Sequence, residues 1–140
     1  MFIQELNHQD VLSILPDRDP WGHKGTFGKL LLICGSRGFT GAAYLAAMGA
    51  LRAGAGLVFL GVPESIYAIE AIKLNEPVVF PLPDEDGKLS FMAVTEIERR
   101  LENVDAVLIG CGLGISSGTA TVVKTHMMQF HLPYLKLFQD

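Results

Sequence analysis

Long apolar runs, basic charge and cysteine are what this chain of 140 residues has least of. Its apolar stretches break well short of the roughly 20 residues that a membrane-crossing helix needs. The opening MFIQELNHQD has neither the basic start nor the apolar core of a secretory signal, which predicts a cytoplasmic protein. A formal net charge of −4 with no basic stripe excludes a surface built for nucleic acid or an anionic membrane. There are only two cysteines, Cys34 and Cys111. Both end predicted strands in apolar surroundings and read as reduced core thiols rather than a disulfide. None of the four histidines has metal-ligand spacing. His126 and His131 read as surface residues or as partners of a helix C-terminus.

What remains is globular. With 49% hydrophobic and 19% charged residues, residues 1–140 suffice for a single domain with a real core. Uninterrupted apolar runs predict strands at 29–35, 57–62 and 106–109, and a short proline-bounded strand lies at 77–82. Helical spacing covers 10–15, 41–53, 65–73 and 117–130. Another helix has Ser90 as its N-cap and an i,i+4 pair, Glu96 and Arg100, on its outside. The segment Pro83 to Gly87 reads as a solvent loop. Strands alternating with helices predict an α/β, three-layer fold, a mainly parallel sheet with helices on both faces.

The stretch 23–57, HKGTFGKLLLICGSRGFTGAAYLAAMGALRAGAGL, carries the most information. Its strand ends at Gly35; Gly38 and Gly41 punctuate the loop, and a helix follows with almost no polar face, which predicts burial. Gly54 suits the left-handed position that ends a helix. The G-x-x-G-x-x-G spacing is neither the dinucleotide fingerprint nor the P-loop. It is open to two readings, a tight turn packing helix on strand, or a ligand site at the N–H groups of Gly41 and Ala42. A second glycine loop, Gly110-Cys-Gly-Leu-Gly114, follows the strand at 106–109. In open parallel sheets ligands sit beyond the strand carboxyl ends, so the two loops can converge on one ligand. Glu64 reads either as a ribose-binding acid or as an ordinary first-turn residue. Asp105 reads as a cap at the start of a buried strand. Arg52, the one charge on its helix, is open to a buried partner, a subunit contact or a ligand.

These segments together carry a resemblance. Arg18, His23-Lys24-Gly25, Gly28, Gly35-Ser36, Gly41-Ala42-Ala43, the run Ala50 to Leu57 and Gly112-Leu113-Gly114 occur in the order found in the ADP/ATP-dependent NAD(P)H-hydrate dehydratases of the ribokinase-like superfamily, and the chain is similar to that family over residues 14–128. Cys111 stands where the family usually has proline, and Asn75-Glu76-Pro77 where it has a Pro-Glu pair. The resemblance implies repair of hydrated NADH or NADPH by dehydration, driven by ADP or ATP with Mg²⁺, a phosphoryl group passing to the ring hydroxyl before phosphate is eliminated. It also implies substrate contacts at Gly41, Ala42, Gly112 and Gly114, with Gly41 and Ala42 as one wall of the site and Gly112 as the other. His23 and Lys24 read either as cleft residues that meet phosphates or as solvated residues before a strand.

The resemblance also defines what is missing. The family's base is an aspartate in a late Gly-x-Gly-Asp motif, which this sequence lacks, and residues 131–140 form an atypical tail in which only Pro133 fits. The expectation is therefore an N-terminal, substrate-binding half with no catalytic residue, truncated or shifted in frame, and held as a homo-oligomer by its uncovered edge. Two rival readings remain open, a non-catalytic nucleotide-binding or self-associating module, and a small-molecule kinase of the same superfamily.

Overall fold

Leu31 to Cys34 are fully buried without alternation, which requires cover on both faces of the strand that holds them. A computed structural model describes residues 7–15 and 17–129 and supplies that cover. The predicted tail at 131–140 lies outside the described residues. Strands β1 (Lys29–Cys34), β2 (Leu57–Pro63), β3 (Val78–Leu82) and β6 (Ala106–Gly110) form a parallel sheet in the order β3-β2-β1-β6. Leu32 and Cys34 pack with Val58, Leu60, Ala43 and Ala47 on one face. Leu31 and Ile33 pack with Phe80, Leu82, Ile97 and Val122 on the other. Helices α2 (Thr40–Ala53) and α3 (Glu64–Lys73) contribute to the first layer, and α4 (Ala93–Leu101) and α5 (Ser117–Gln129) to the second. The three-layer α/β expectation holds.

Several local expectations hold as well. Gly54 ends α2 with φ +104° and donates its N–H to the last turn. Asp105 accepts the Lys29 N–H at 2.7 Å, which fixes the start of β1 beside β6. The Glu96 carboxylate receives Arg100 at 2.9 Å, and Arg100 also lies over the Phe80 ring, 3.6 Å from its centroid.

Others are corrected. Helix α1 (His8–Ile14) begins before residue 10 because Asn7 and Asp10 form a reciprocal capping box. Helix α2 is not buried all round. Ala43 and Ala47 meet the sheet, whereas Leu45 on the far side is 69% exposed, since among the described residues one layer of helix covers the sheet and no further layer covers the helix. The segment Pro83 to Gly87 is not a plain loop. Strands β4 (Asp84–Glu85) and β5 (Lys88–Leu89) make a hairpin whose turn residues Asp86 and Gly87 both have positive φ, the geometry that an Asp-Gly turn favours. Ser90 does not cap α4 itself; its hydroxyl accepts from Met92 N and its carbonyl from Ala93 N, so it shapes the turn that leads into the helix.

Helix α5 packs against the core through Val122 and Val123. Thr119, Val122 and His126 are buried. His126 is therefore not a surface residue; it lies in the last turn of α5, and its Nδ1 lies 2.7 Å from the Val122 carbonyl, as a partner of the helix C-terminus would. Cys111 is exposed while Cys34 is buried, and both are free. Cys111 lies just past β6, the outermost strand on that side among the described residues, and its exposure shows that it is not a core thiol.

Candidate functional site

Strand order places the site. The chain adds β2 and β3 outward on one side of β1, then returns to lay β6 on the other side. Between β1 and β6 the sheet reverses its direction of growth, and connections leaving the two carboxyl ends diverge there to leave a crevice. Both glycine loops leave from those ends.

The loops are bound to each other. Gly35 N donates to the Cys111 carbonyl at 2.9 Å, and the buried Ser36 hydroxyl donates to the Gly112 carbonyl at 2.7 Å. Gly112 has φ +80°, and a Cβ there would stand 2.7 Å from the Ala42 Cβ. Glycine is thus required twice over, by the left-handed backbone and by the approach of α2. The hairpin joins the same edge. Arg37 N donates to the Gly87 carbonyl at 2.8 Å, and a Cβ on Gly114 would meet the Lys88 side chain at 3.2 Å.

Gly41, Ala42, Gly112 and Gly114 are therefore brought to one edge. The expected arrangement of opposed walls is not what forms, because Gly112 packs directly on Ala42 and leaves no gap between them. The two loops make one continuous floor. Gly41 lies in the first turn of α2, where a Cβ would find open space within 4 Å, so the approach to the floor is clear at this point.

His23 and Lys24 are not brought to this edge. Both are exposed. The Gly25 N–H donates to His23 Nδ1 at 3.1 Å, and a Cβ on Gly56 would overlap the Lys24 carbonyl. Gly56 immediately precedes β2, so this segment wraps the amino ends of the strands. Those ends lie a strand length away from the floor, about 20 Å for six residues. Arg18 belongs to the same wrapping, over the Phe27 ring at 4.2 Å. Glu64 opens α3 at the carboxyl end of β2 and is exposed. Arg52 is exposed in the last turn of α2, which removes the buried-partner reading.

Charge at the carboxyl edge comes from residues that sequence reasoning passed over. Lys73 Nζ donates to Thr40 Oγ1 at 3.2 Å and stands 3.5 Å from Glu70 Oε1. Glu70 is fully buried, and burial raises its carboxyl above the ordinary value against the opposing pull of Lys73. A cavity of about 320 Å³ is lined by Gly41, Tyr44 and Lys73. A second, of about 440 Å³, lies along the start of α5 among Gly114, Ile115, Ser116, Thr119 and Lys124. Ser116 caps that helix, its hydroxyl accepting from Thr119 N at 3.0 Å. Two helix N-termini and two lysines suit a ligand with anionic groups. Among the described residues no group of three or more His, Cys, Asp or Glu is placed to hold a metal ion. No described helix is long and apolar enough to cross a membrane.

Comparisons with known proteins bear on the fold and the family. Residues 30–135 match the family model of NAD(P)H-hydrate dehydratase. A bifunctional NAD(P)H-hydrate repair enzyme of Moorella thermoacetica is 42% identical over 122 residues, which are 86% of this chain and 23% of that protein. The ADP/ATP-dependent NAD(P)H-hydrate dehydratase of Bacillus subtilis, crystallised with ATP and Mg²⁺, superposes with a TM-score of 0.65 at 32% identity, over 84% of this chain and 40% of its own. A ribokinase-like superfamily protein of Enterococcus faecalis superposes with a TM-score of 0.71 at 22% identity, over 90% of this chain and 41% of its own, and it speaks for the fold. The chain thus spans about a quarter of the length of the Moorella relative. Its fold is ribokinase-like, and the chain belongs to the NAD(P)H-hydrate dehydratase family.

Proposed function

We propose that this chain carries the substrate-binding part of a nicotinamide nucleotide repair enzyme, a hydro-lyase that dehydrates hydrated NADH or NADPH at the expense of ADP or ATP. The observation that supports this most is the joined floor at the carboxyl ends of β1 and β6, where Ser36 binds Gly112 and Gly41 opens to solvent. In this reading the backbone of Gly41, Ala42, Gly112 and Gly114 meets the hydrate, and small residues there let its nicotinamide–ribose portion approach closely. Lys73 and Lys88 supply positive charge for its phosphates. The reaction takes place in the cytoplasm.

No residue of this chain is assigned as the base. The family's Gly-x-Gly-Asp is absent from the sequence, and Mg²⁺ with ADP or ATP is assigned to chain that this sequence does not include. In this reading the aspartate is supplied from outside residues 1–140. The test is incubation with hydrated NADH, ADP or ATP and Mg²⁺, following NADH absorbance. Binding without turnover is expected from the chain alone, and turnover once a polypeptide carrying the Gly-x-Gly-Asp segment of a relative is added. Absence of binding removes the reading altogether.

A second reading has its own support. Strand β6 is apolar throughout and is the outermost strand on its side of the sheet among the described residues, with Leu108 37% exposed and Ile115 beyond it 96% exposed. Such an edge pairs readily with another chain, which favours a self-associating, non-catalytic module. Homo-oligomerisation is common to both readings, and only the first requires the hydrate.

A further inference from the structure

The two cysteines meet where the glycine loops meet. Cys34 is the last residue of β1 and pairs in register with Gly110, the residue before Cys111. Adjacent strands are about 4.8 Å apart, and the Gly35 N–H bond to the Cys111 carbonyl holds the two loop starts together. At Cys111 the chain turns left-handed, with φ +40°, and the Cys111 thiol is near enough to Cys34 to contribute to the upward push on the Cys34 thiol. A disulfide spans Cα separations of about 4.4–6.8 Å, and the spacing of adjacent strands is of that order. Cys34 is fully buried and Cys111 is exposed. One thiol is therefore open to reagents in solution, and the other lies inside at the end of the neighbouring strand.

We propose that Cys34 and Cys111 are an oxidisable pair, a thiol modification site at which a peroxide-class oxidant acts on Cys111 and Cys34 then closes a disulfide across the ends of β1 and β6. In the first step the Cys111 sulfur attacks one peroxide oxygen and the O–O bond breaks. Cys111 becomes a sulfenic acid and the other oxygen leaves as water. In the second step the Cys34 sulfur attacks the sulfenic sulfur, an S–S bond forms, and the sulfenic oxygen leaves as water with the Cys34 proton. Each cysteine sulfur has then given up one electron and the peroxide has accepted two. The order of attack follows from the surroundings. Burial first, and the neighbouring Cys111 second, push the Cys34 thiol far up, so Cys34 supplies almost no thiolate of its own, whereas Cys111 meets solvent. The bond joins the two glycine loops covalently beside the Ser36–Gly112 contact and fixes the floor between them. This chemistry does not depend on the identity of the ligand.

The experiment treats the whole chain with hydrogen peroxide under native conditions. Intact mass, thiol titration and peptide mapping are then measured before and after dithiothreitol. Expected is a monomer lighter by two hydrogens, loss of both titratable thiols, a cross-linked peptide pair containing residues 34 and 111, and recovery of both thiols on reduction. Cys111→Ser, at an exposed position where folding is undisturbed, is expected to abolish the mass loss and leave Cys34 unreactive until the protein is denatured. Cys34→Ala is expected to leave Cys111 as a stable sulfenic acid that a dimedone probe labels. The proposal is overturned by a dimer linked through Cys111 as the sole disulfide product, or by sulfinic acid at Cys111 with Cys34 still reduced.

Discussion

The Ser36 hydroxyl donates to the Gly112 carbonyl at 2.7 Å across 76 positions of sequence, and it joins the loop after β1 to the loop after β6. Ser36 is buried, so removing its hydroxyl leaves a carbonyl without that partner. Ser36→Ala should cost about 1–3 kcal/mol of stability, read as a fall in the midpoint of urea unfolding with unchanged slope. An unchanged midpoint would mean that water serves Gly112 equally well.

Gly112 tests the same junction by crowding it. Gly112→Ala places a methyl 2.7 Å from the Ala42 Cβ at φ +80°, and the left-handed backbone alone costs a side chain about 1–2 kcal/mol. The loss should exceed that figure, because α2 must also move. Adding Ala42→Gly should restore the crowding part and leave the backbone part, a coupling that thermal unfolding of the two single variants and the double variant resolves.

Glu70 gives a pH dependence. Its carboxyl is raised by burial above its ordinary value, so the folded protein holds this proton more tightly than the unfolded chain. Its contribution to stability is therefore full below the unfolded pKa and is lost as pH rises through the folded one. Glu70→Met should stabilise the protein near neutral pH by a modest amount, about 1 kcal/mol, since solvent reaches the Lys73 ammonium and screens the pair. The gain should vanish as pH falls to about 4. Thermal unfolding at the two pH values checks this, and an equal gain at both contradicts it.

If β6, outermost among the described strands, pairs with another copy, the protein should show in solution a mass that rises with concentration in light scattering. Leu108→Lys places a charge on that edge, and edge charges oppose strand pairing. The variant should stay monomeric over the same range, and a strictly monomeric parent chain contradicts the self-association.

Most of the architecture was legible in the sequence. Uninterrupted strands such as Leu30 to Cys34 announce cover on both faces, and Gly54 announces the end of α2. The site was legible as two loops but not as a shape. Nothing local says that Gly112 rests on Ala42, because that contact depends on how β6 is laid beside β1. The same holds for Lys73, whose contact with Thr40 spans 33 positions, and for Cys111, whose exposure depends on where β6 lies in the sheet. His23 and Lys24 were placed with the glycine loop by their proximity in sequence. A strand lies between them and that loop, and it carries the chain from one edge of the sheet to the other. The surface reading of His126 failed because its polarity outweighed its spacing of four from Val122.

Gly41 permits the most direct test of the substrate-binding reading, since a side chain there meets open space and should leave the fold intact. Replacing glycine inside a helix by leucine should even stabilise it, by about 0.5–1 kcal/mol. The measurement is equilibrium binding of hydrated NADPH to the parent chain and to Gly41→Leu, with thermal unfolding of both alongside. Expected is saturable binding by the parent and a loss of at least about tenfold in affinity, some 1.4 kcal/mol, in a variant that melts no lower. Equal affinity in the two proteins, or no binding by the parent, would contradict the placement of the substrate on the floor formed by Gly41, Ala42 and Gly112.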